Sequence, residues 1–292
     1  MNNYNERQVK DTKVSAFVPV YNDKSTIKAC LDSILNQSLN FDEIIVVNDA
    51  SNDETTQILN NFKNIKIINN ERNMGVSYSR NIGIKNSTNE LVAGIDSDIV
   101  IEKNWLENML EMLFKKKAVY CCGNVDEKYL ENQYNYWRSL RYPLNWGRVD
   151  IKNPPFIFTN NTLQYKYIWS KTGGFDENYS QPGGDDIVYS KKVTDLYKDK
   201  IYYFSNIHSL HLANDNLYSL SNRVWRYHSF GYKIKTPSLY RFFKLIIKQV
   251  RFLITRIFQD LIKLRLSFLL INIAVFVLFI IYEIKYIYKF KK

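Results

Sequence analysis

Cysteine is scarce in this chain, with three among 292 residues, Cys30, Cys121 and Cys122, all in apolar stretches. Three thiols without metal-ligand spacing exclude a disulfide framework and a cysteine-built zinc site, and they point to a reducing compartment. Residues 1–13 are polar and hold no apolar h-region, so no secretory signal is expected. Acid is in deficit, 29 Asp and Glu against 40 Lys and Arg, for a formal net charge of +11. Charge is absent from residues 266–282, a run of 17 bounded by Arg265 and Glu283. That length stands at the lower limit for crossing a bilayer.

What the N-terminal half does contain is alternation of buried-strand and helix patterns. Residues 14–20 form an apolar run ending in Tyr21-Asn22-Asp23, and Ser25 can cap a helix whose Ile27, Cys30, Leu31, Ile34 and Leu35 share one face. A second run, 43–47, ends in Asn48-Asp49; residues 65–68 read as a third strand, and Asn73-Met74-Gly75 opens another helix. This order predicts a parallel α/β sheet with ligands at the carboxyl ends of its strands. Asp96-Ser97-Asp98 closes a further apolar run, 90–95. Two carboxylates one residue apart, where a strand opens into a loop, can hold a hard divalent cation that bridges nucleotide phosphates. Asp and Ser are also ordinary turn residues, so the triplet alone leaves both readings open.

Six ordered motifs narrow the choice: Val-Pro-Val-Tyr-Asn (18–22), Ile-Val-Val-Asn-Asp-Ala-Ser-Asn-Asp (45–53), Asn-Met-Gly-Val-Ser-Tyr-Ser-Arg-Asn-Ile-Gly (73–83), Asp-Ser-Asp (96–98), Gly-Gly-Phe-Asp-Glu (173–177) and Gly-Gly-Asp-Asp (183–186). Together, over about residues 13–215, they resemble a family 2 glycosyltransferase of the inverting kind with the GT-A fold, an α/β mixed sheet flanked by helices. The resemblance implies a nucleotide-sugar site around Pro19, Tyr21, Asp49, Arg80, Asp96 and Asp98. Asp49 would accept the imide N–H of uracil or else cap a helix, and Arg80 would approach the diphosphate. Asn48 and Asp185 depart from the family's usual Asp and Glu. Asp98 would touch Mn²⁺ or Mg²⁺ directly, with His211, preferred over His208, completing the shell. Asp186, with Asp185 beside it, would be the catalytic base that takes the acceptor hydroxyl proton. Trp169 either stacks on a sugar or packs in the core.

The remaining organisation follows from composition. We expect a polar extension over 1–13, the catalytic domain over 14–215, a connecting helical segment over 216–238 and membrane-associating helices over 239–292. The basic and apolar residues of 241–253 fall at helical spacing suited to an anionic membrane, and lysines follow the uncharged run. A single span, an interfacial hairpin and a soluble helical pair all remain open for that tail. The stretch 120–155 interleaves aromatics with arginine, yet the carboxylates account for the crevice and no nucleic-acid partner is expected. The expected partners are a nucleotide-sugar donor (a UDP-sugar), a lipid-linked or envelope glycan acceptor and a membrane surface, at the cytoplasmic face of the cell membrane. Transfer to polyprenyl phosphate, a retaining relative and a non-catalytic nucleotide-binding scaffold are the alternatives.

Overall fold

Apolar runs and loop chemistry resolve into nine strands in one mixed sheet. In the computed structural model, which describes residues 6–178, 183–230 and 238–289, these are β1 (Val14–Val20), β2 (Glu43–Asn48), β3 (Lys66–Asn69), β4 (Leu91–Ile95), β5 (Ile99–Ile101), β6 (Tyr120–Glu127), β7 (Ile151–Lys152), β8 (Asn161–Tyr165) and β9 (Ile201–His211). Their order is β3-β2-β1-β4-β8-β6-β9-β5, with β7 paired to β9. β1 to β4 pair in parallel as their βαβ pattern predicts, whereas β8 is antiparallel to both β4 and β6. The α/β fold expected from the resemblance is therefore present.

Every residue of β1 is buried, consistent with its unbroken apolar sequence in a sheet covered on both faces. Pro19 is tolerated in this central strand because pairing to β4 stops at Phe17↔Gly94, while pairing to β2 continues through Pro19↔Val47. The sheet thus opens beyond Phe17, between the carboxyl ends of β1 and β4. The helix Val76–Asn86 approaches closely here: a Cβ on Gly83 would stand 2.8 Å from the Phe17 ring, and one on Gly94 2.7 Å from its far edge. The paired glycines let one aromatic ring separate helix from strand.

The chain divides into two compact units. The first holds the sheet and comprises Met1–Lys128, Pro143–Ser180 and Asp185–Ala213; the second comprises Tyr129–Tyr142, Gln181–Gly184 and Asn214–Lys292. Residues 129–142, expected within the catalytic domain, thus group with the C-terminal helices. The expected connector likewise carries a packed helix, Leu217–Phe230, with Leu220 and Val224 in the second unit's core. The N-terminal extension includes a helix, Glu6–Asp11, whose Val9 is buried in the first unit. Ser25 lies in a turn; the helix Ile27–Leu35 has Thr26 at its cap position, without a side-chain cap. Residues 1–5, Pro237, Lys291 and Lys292 lie outside the described residues.

In the second unit, the uncharged run lies in the helix Leu266–Lys289, of which Leu266–Tyr288 is long and apolar enough to cross a membrane. One face packs Phe268, Ile271, Val275 and Phe279 against Trp137 and Leu245. The same face carries polar groups: Asn272 Oδ1 accepts from Trp137 Nε1 at 2.8 Å, and Asn272 Nδ2 donates to Asp260 at 2.8 Å, while Asp260 also pairs with Arg141. Two of the aromatic and basic residues around 137 are therefore internal: Trp137 is buried, and buried Arg138 pairs with Asp215 at 2.9 Å. The opposite face leaves Leu266, Leu270, Ile273, Val277, Ile281 and Ile284 exposed.

Candidate active site

The loops after β1, β2 and β4 meet at the sheet opening and are tied by side chains. Asn22 and Ala50 both take positive φ, 54° and 59°, where the chain leaves β1 and β2. Asn22 Oδ1 accepts from Asn52 N at 2.8 Å, and Ser97 Oγ donates to Asp23. Asn48 accepts from Ser51 N and donates to Asn69 at 2.9 Å, a donor role that aspartate cannot fill. Asp49 is buried and accepts from Asn70 Nδ2 (2.6 Å), Met74 N (2.9 Å) and Gly75 N (2.8 Å). It therefore fastens the loop that precedes the helix Val76–Asn86, whose cap position is Gly75. Tyr21 stands half-exposed at the end of β1, next to Pro19's buried strand position.

That helix carries the residue pair that assembles the rest. Arg80, 5% exposed, donates through Nη2 to Asp96 at 2.9 and 3.1 Å and through Nη1 to Asp185. Burial works against its charge, but Asp96 and Asp185 hold the guanidinium above its ordinary range. Expected to face a diphosphate, Arg80 is here bound to two carboxylates of its own chain. Asn81 fixes the loop at 173–177: its Oδ1 accepts from Phe175 N and Trp169 Nε1, and its Nδ2 donates to Phe175 O and Glu177. Trp169 is thus part-buried and hydrogen-bonded, on the packing side of the two alternatives.

Asp185 and Asp186 open the helix Asp185–Leu196. Asp185 is buried against Arg80, whereas Asp186 is half-buried and accepts from Ile187 N at 2.8 Å. Burial, and then the Asp185 carboxylate, push Asp186 up to about 7. A carboxylic acid tuned to neutrality suits a general base. Asp96 is also raised, by burial first, with Asp98 adding to it and Arg80 opposing.

Across the opening, Asp98 meets His211, with Oδ2 and Nε2 3.0 Å apart, and His211 Nδ1 lies 2.9 Å from Glu127 Oε2. Strand register creates this row: His211 on β9 pairs with Glu127 on β6 and with Ile99 on β5, the residue after Asp98. The register of β6 against β9 shifts between Gly123 and Asn124, from Gly123↔Phe204 to Asn124↔His208. A Cβ on Gly123 would lie 2.5 Å from Ile207 O, so glycine admits the bulge that brings His211 into line. Burial disfavours the His211 imidazolium, yet Asp98 and Glu127 raise its pKa. His208 pairs instead with Asp126, at 2.7 Å, in a more exposed position.

No group of three or more His, Cys, Asp or Glu side chains among the described residues could hold a metal by itself. Asp98 and His211, whose Oδ2 and Nε2 lie 3.0 Å apart, would contribute one oxygen and one nitrogen donor to a larger shell. Carboxylate and imidazole are suitable donors, and Glu127 would orient the ring. Sequence reasoning missed Glu127 and Asn81. Asn81 stood inside a quoted motif, but nothing local marked Glu127, which reaches His211 only through strand pairing.

Residues 15–175, more than half of the chain, match the family profile of glycosyl transferase family 2. The glycosyltransferase GlyA of Streptococcus pneumoniae is 34% identical over 117 residues, which cover 39% of this chain and 17% of that relative's length. Among solved structures, residues 1–349 of S. aureus TarS with UDP superpose with a TM-score of 0.57 at 20% identity, covering 73% of this chain and 64% of that one. The mannosyltransferase PcManGT from Pyrobaculum calidifontis, in complex with GDP-Man and Mn²⁺, gives 0.62 at 15% identity, covering 90% and 84%.

Proposed function

We propose, from the premise that this chain belongs to glycosyl transferase family 2, that it is an inverting glycosyltransferase using a UDP-sugar and a divalent cation. The observation that carries the reading is the convergence of Asp98, His211, Arg80 and Asp186 on one opening of the sheet. Asp186 takes the proton of an acceptor hydroxyl as that oxygen bonds to the anomeric carbon and the bond to the nucleoside diphosphate breaks on the opposite side. Arg80 holds Asp96 and Asp185 in place by donating to both, and its charge opposes the mutual repulsion of the acidic residues around it. Asp98 and His211 would hold Mn²⁺ or Mg²⁺, which when bound offsets charge on the leaving diphosphate. UDP in the TarS structure and Mn²⁺ in PcManGT support donor class and metal; GDP-Man in the latter makes a guanosine donor the competing base assignment.

The acceptor reading rests on the second unit. Its outward apolar residues, beside the basic stripe of the helix Leu239–Ile262, suit an anionic membrane surface, and a lipid-linked or envelope glycan would be met there. We therefore assign the protein to the cytoplasmic face of a cell membrane. The test is incubation of purified protein with a panel of nucleotide sugars and Mn²⁺, scoring donor hydrolysis and transfer. Turnover of a UDP-sugar is expected; binding without turnover of any donor would instead favour a nucleotide-binding scaffold.

A further inference from the structure

The helix Leu239–Ile262 separates its residues into three faces. Leu245 and Gln249 are buried, Phe243, Ile247, Val250 and Ile254 are exposed, and Lys244, Lys248 and Arg251 run between them at i, i+4 and i+7. On the cationic side lies a groove of about 690 Å³, reached by His228 and Ser229 of the helix Leu217–Phe230. Its apolar lining includes Tyr240, Phe243, Leu245 and Ile247, and its cations are Arg241, Lys244, Lys248 and Arg251. Among the described residues, no carboxylate lines it.

Arg241 supplies a second, independent observation. It is 2% exposed, and its Nη2 donates to Ser229 O at 3.3 Å and reaches Glu283 at 3.3 Å. Its Nη1 has no hydrogen-bond partner among the described residues. A buried guanidinium donor left without an acceptor is costly, and an anionic oxygen in the groove would satisfy it. The apolar wall beside it would cover a hydrocarbon chain, and the lysines would add long-range attraction for a phosphate.

We propose that this groove binds one phosphate-bearing lipid, its headgroup at Arg241, Lys244 and Lys248 and its chain along Phe243 and Ile247. The inference rests on the membrane reading above only for where such a lipid is encountered. The test is native mass spectrometry of the full-length protein, held in a neutral detergent and titrated with phosphatidic acid, without donor or metal. Failure of the catalytic reading therefore leaves this result untouched, and the reverse also holds.

One retained lipid is expected. Lys244→Gln with Lys248→Gln should weaken it about 30-fold, from roughly fivefold per cation near a lipid headgroup. Lys263→Gln with Lys285→Gln, the same charge change at exposed sites outside the groove, should weaken it by less than about threefold on the same scale. Diacylglycerol should not be retained, and equimolar inorganic phosphate should not displace the lipid. Equal weakening by both pairs, retention of diacylglycerol, displacement by inorganic phosphate, or no adduct at all would each overturn the proposal.

Discussion

The acid limb of the pH profile is the sharpest consequence of the site's electrostatics. Asp186 is held up to about 7 by burial and by the Asp185 carboxylate, and it acts as base only when ionised. Transfer must therefore rise with pH through that value and fall away below it. At an apparent pKa of about 7 the ionised fraction is about one tenth at pH 6 and about nine tenths at pH 8, so kcat/KM should span nearly tenfold between them. Asp185→Asn removes the repulsion that raises Asp186, and the limb should move to lower pH. Asp186→Asn should lower transfer by about 10²–10⁴ and flatten the limb while nucleotide binding persists. Nucleoside diphosphate release, followed at several pH values with saturating donor and metal, reads all three proteins. A profile flat from pH 5 to 8 in the parent, or an identical limb in Asp186→Asn, would refute the assignment, and Asp185 would be examined next.

Five further outcomes follow. Chelation should abolish transfer and Mn²⁺ or Mg²⁺ should restore it, with Asp98→Asn weakening both donor and Mn²⁺ binding; full activity in excess EDTA would remove the metal from the reading. Glu127→Gln should weaken Mn²⁺ binding by about 10–100-fold, read by electron paramagnetic resonance, because it loosens the orientation of His211. Replacing Phe243, Ile247 and Ile254 by Ser should release the protein from vesicles in a flotation assay without lowering its melting temperature, since these side chains are exposed. Asp260→Ala should destabilise the second unit by about 3–5 kcal/mol in denaturant unfolding, because the buried carboxylate that pairs with part-buried Arg141 is lost. For the same reason, deleting residues 239–292 should cost solubility even without membranes, since Trp137, Arg141 and Trp225 lose their partners Asn272, Asp260 and Glu283.

By itself the sequence determined the alternation that builds β1 to β4, because burial on both faces demands continuous apolar runs and each such run ends in polar loop residues. It also marked Asp96, Asp98, Asp185 and Asp186, since paired acids at strand and helix ends are local features. Only the tertiary structure decided their partners. The family resemblance implies that Arg80 approaches a diphosphate, yet it lies between Asp96 and Asp185, the latter more than a hundred residues away in sequence. Glu127 joins His211 because a bulge at Gly123 shifts the register of β6 against β9, and strand pairing leaves no trace in either segment alone. Residues 129–142, expected within the catalytic domain, belong to the second unit, where Arg138, Arg141 and Trp137 meet Asp215, Asp260 and Asn272. Such long-range pairs depend on which faces meet, and hydrophobic period specifies that a face is buried without specifying against what.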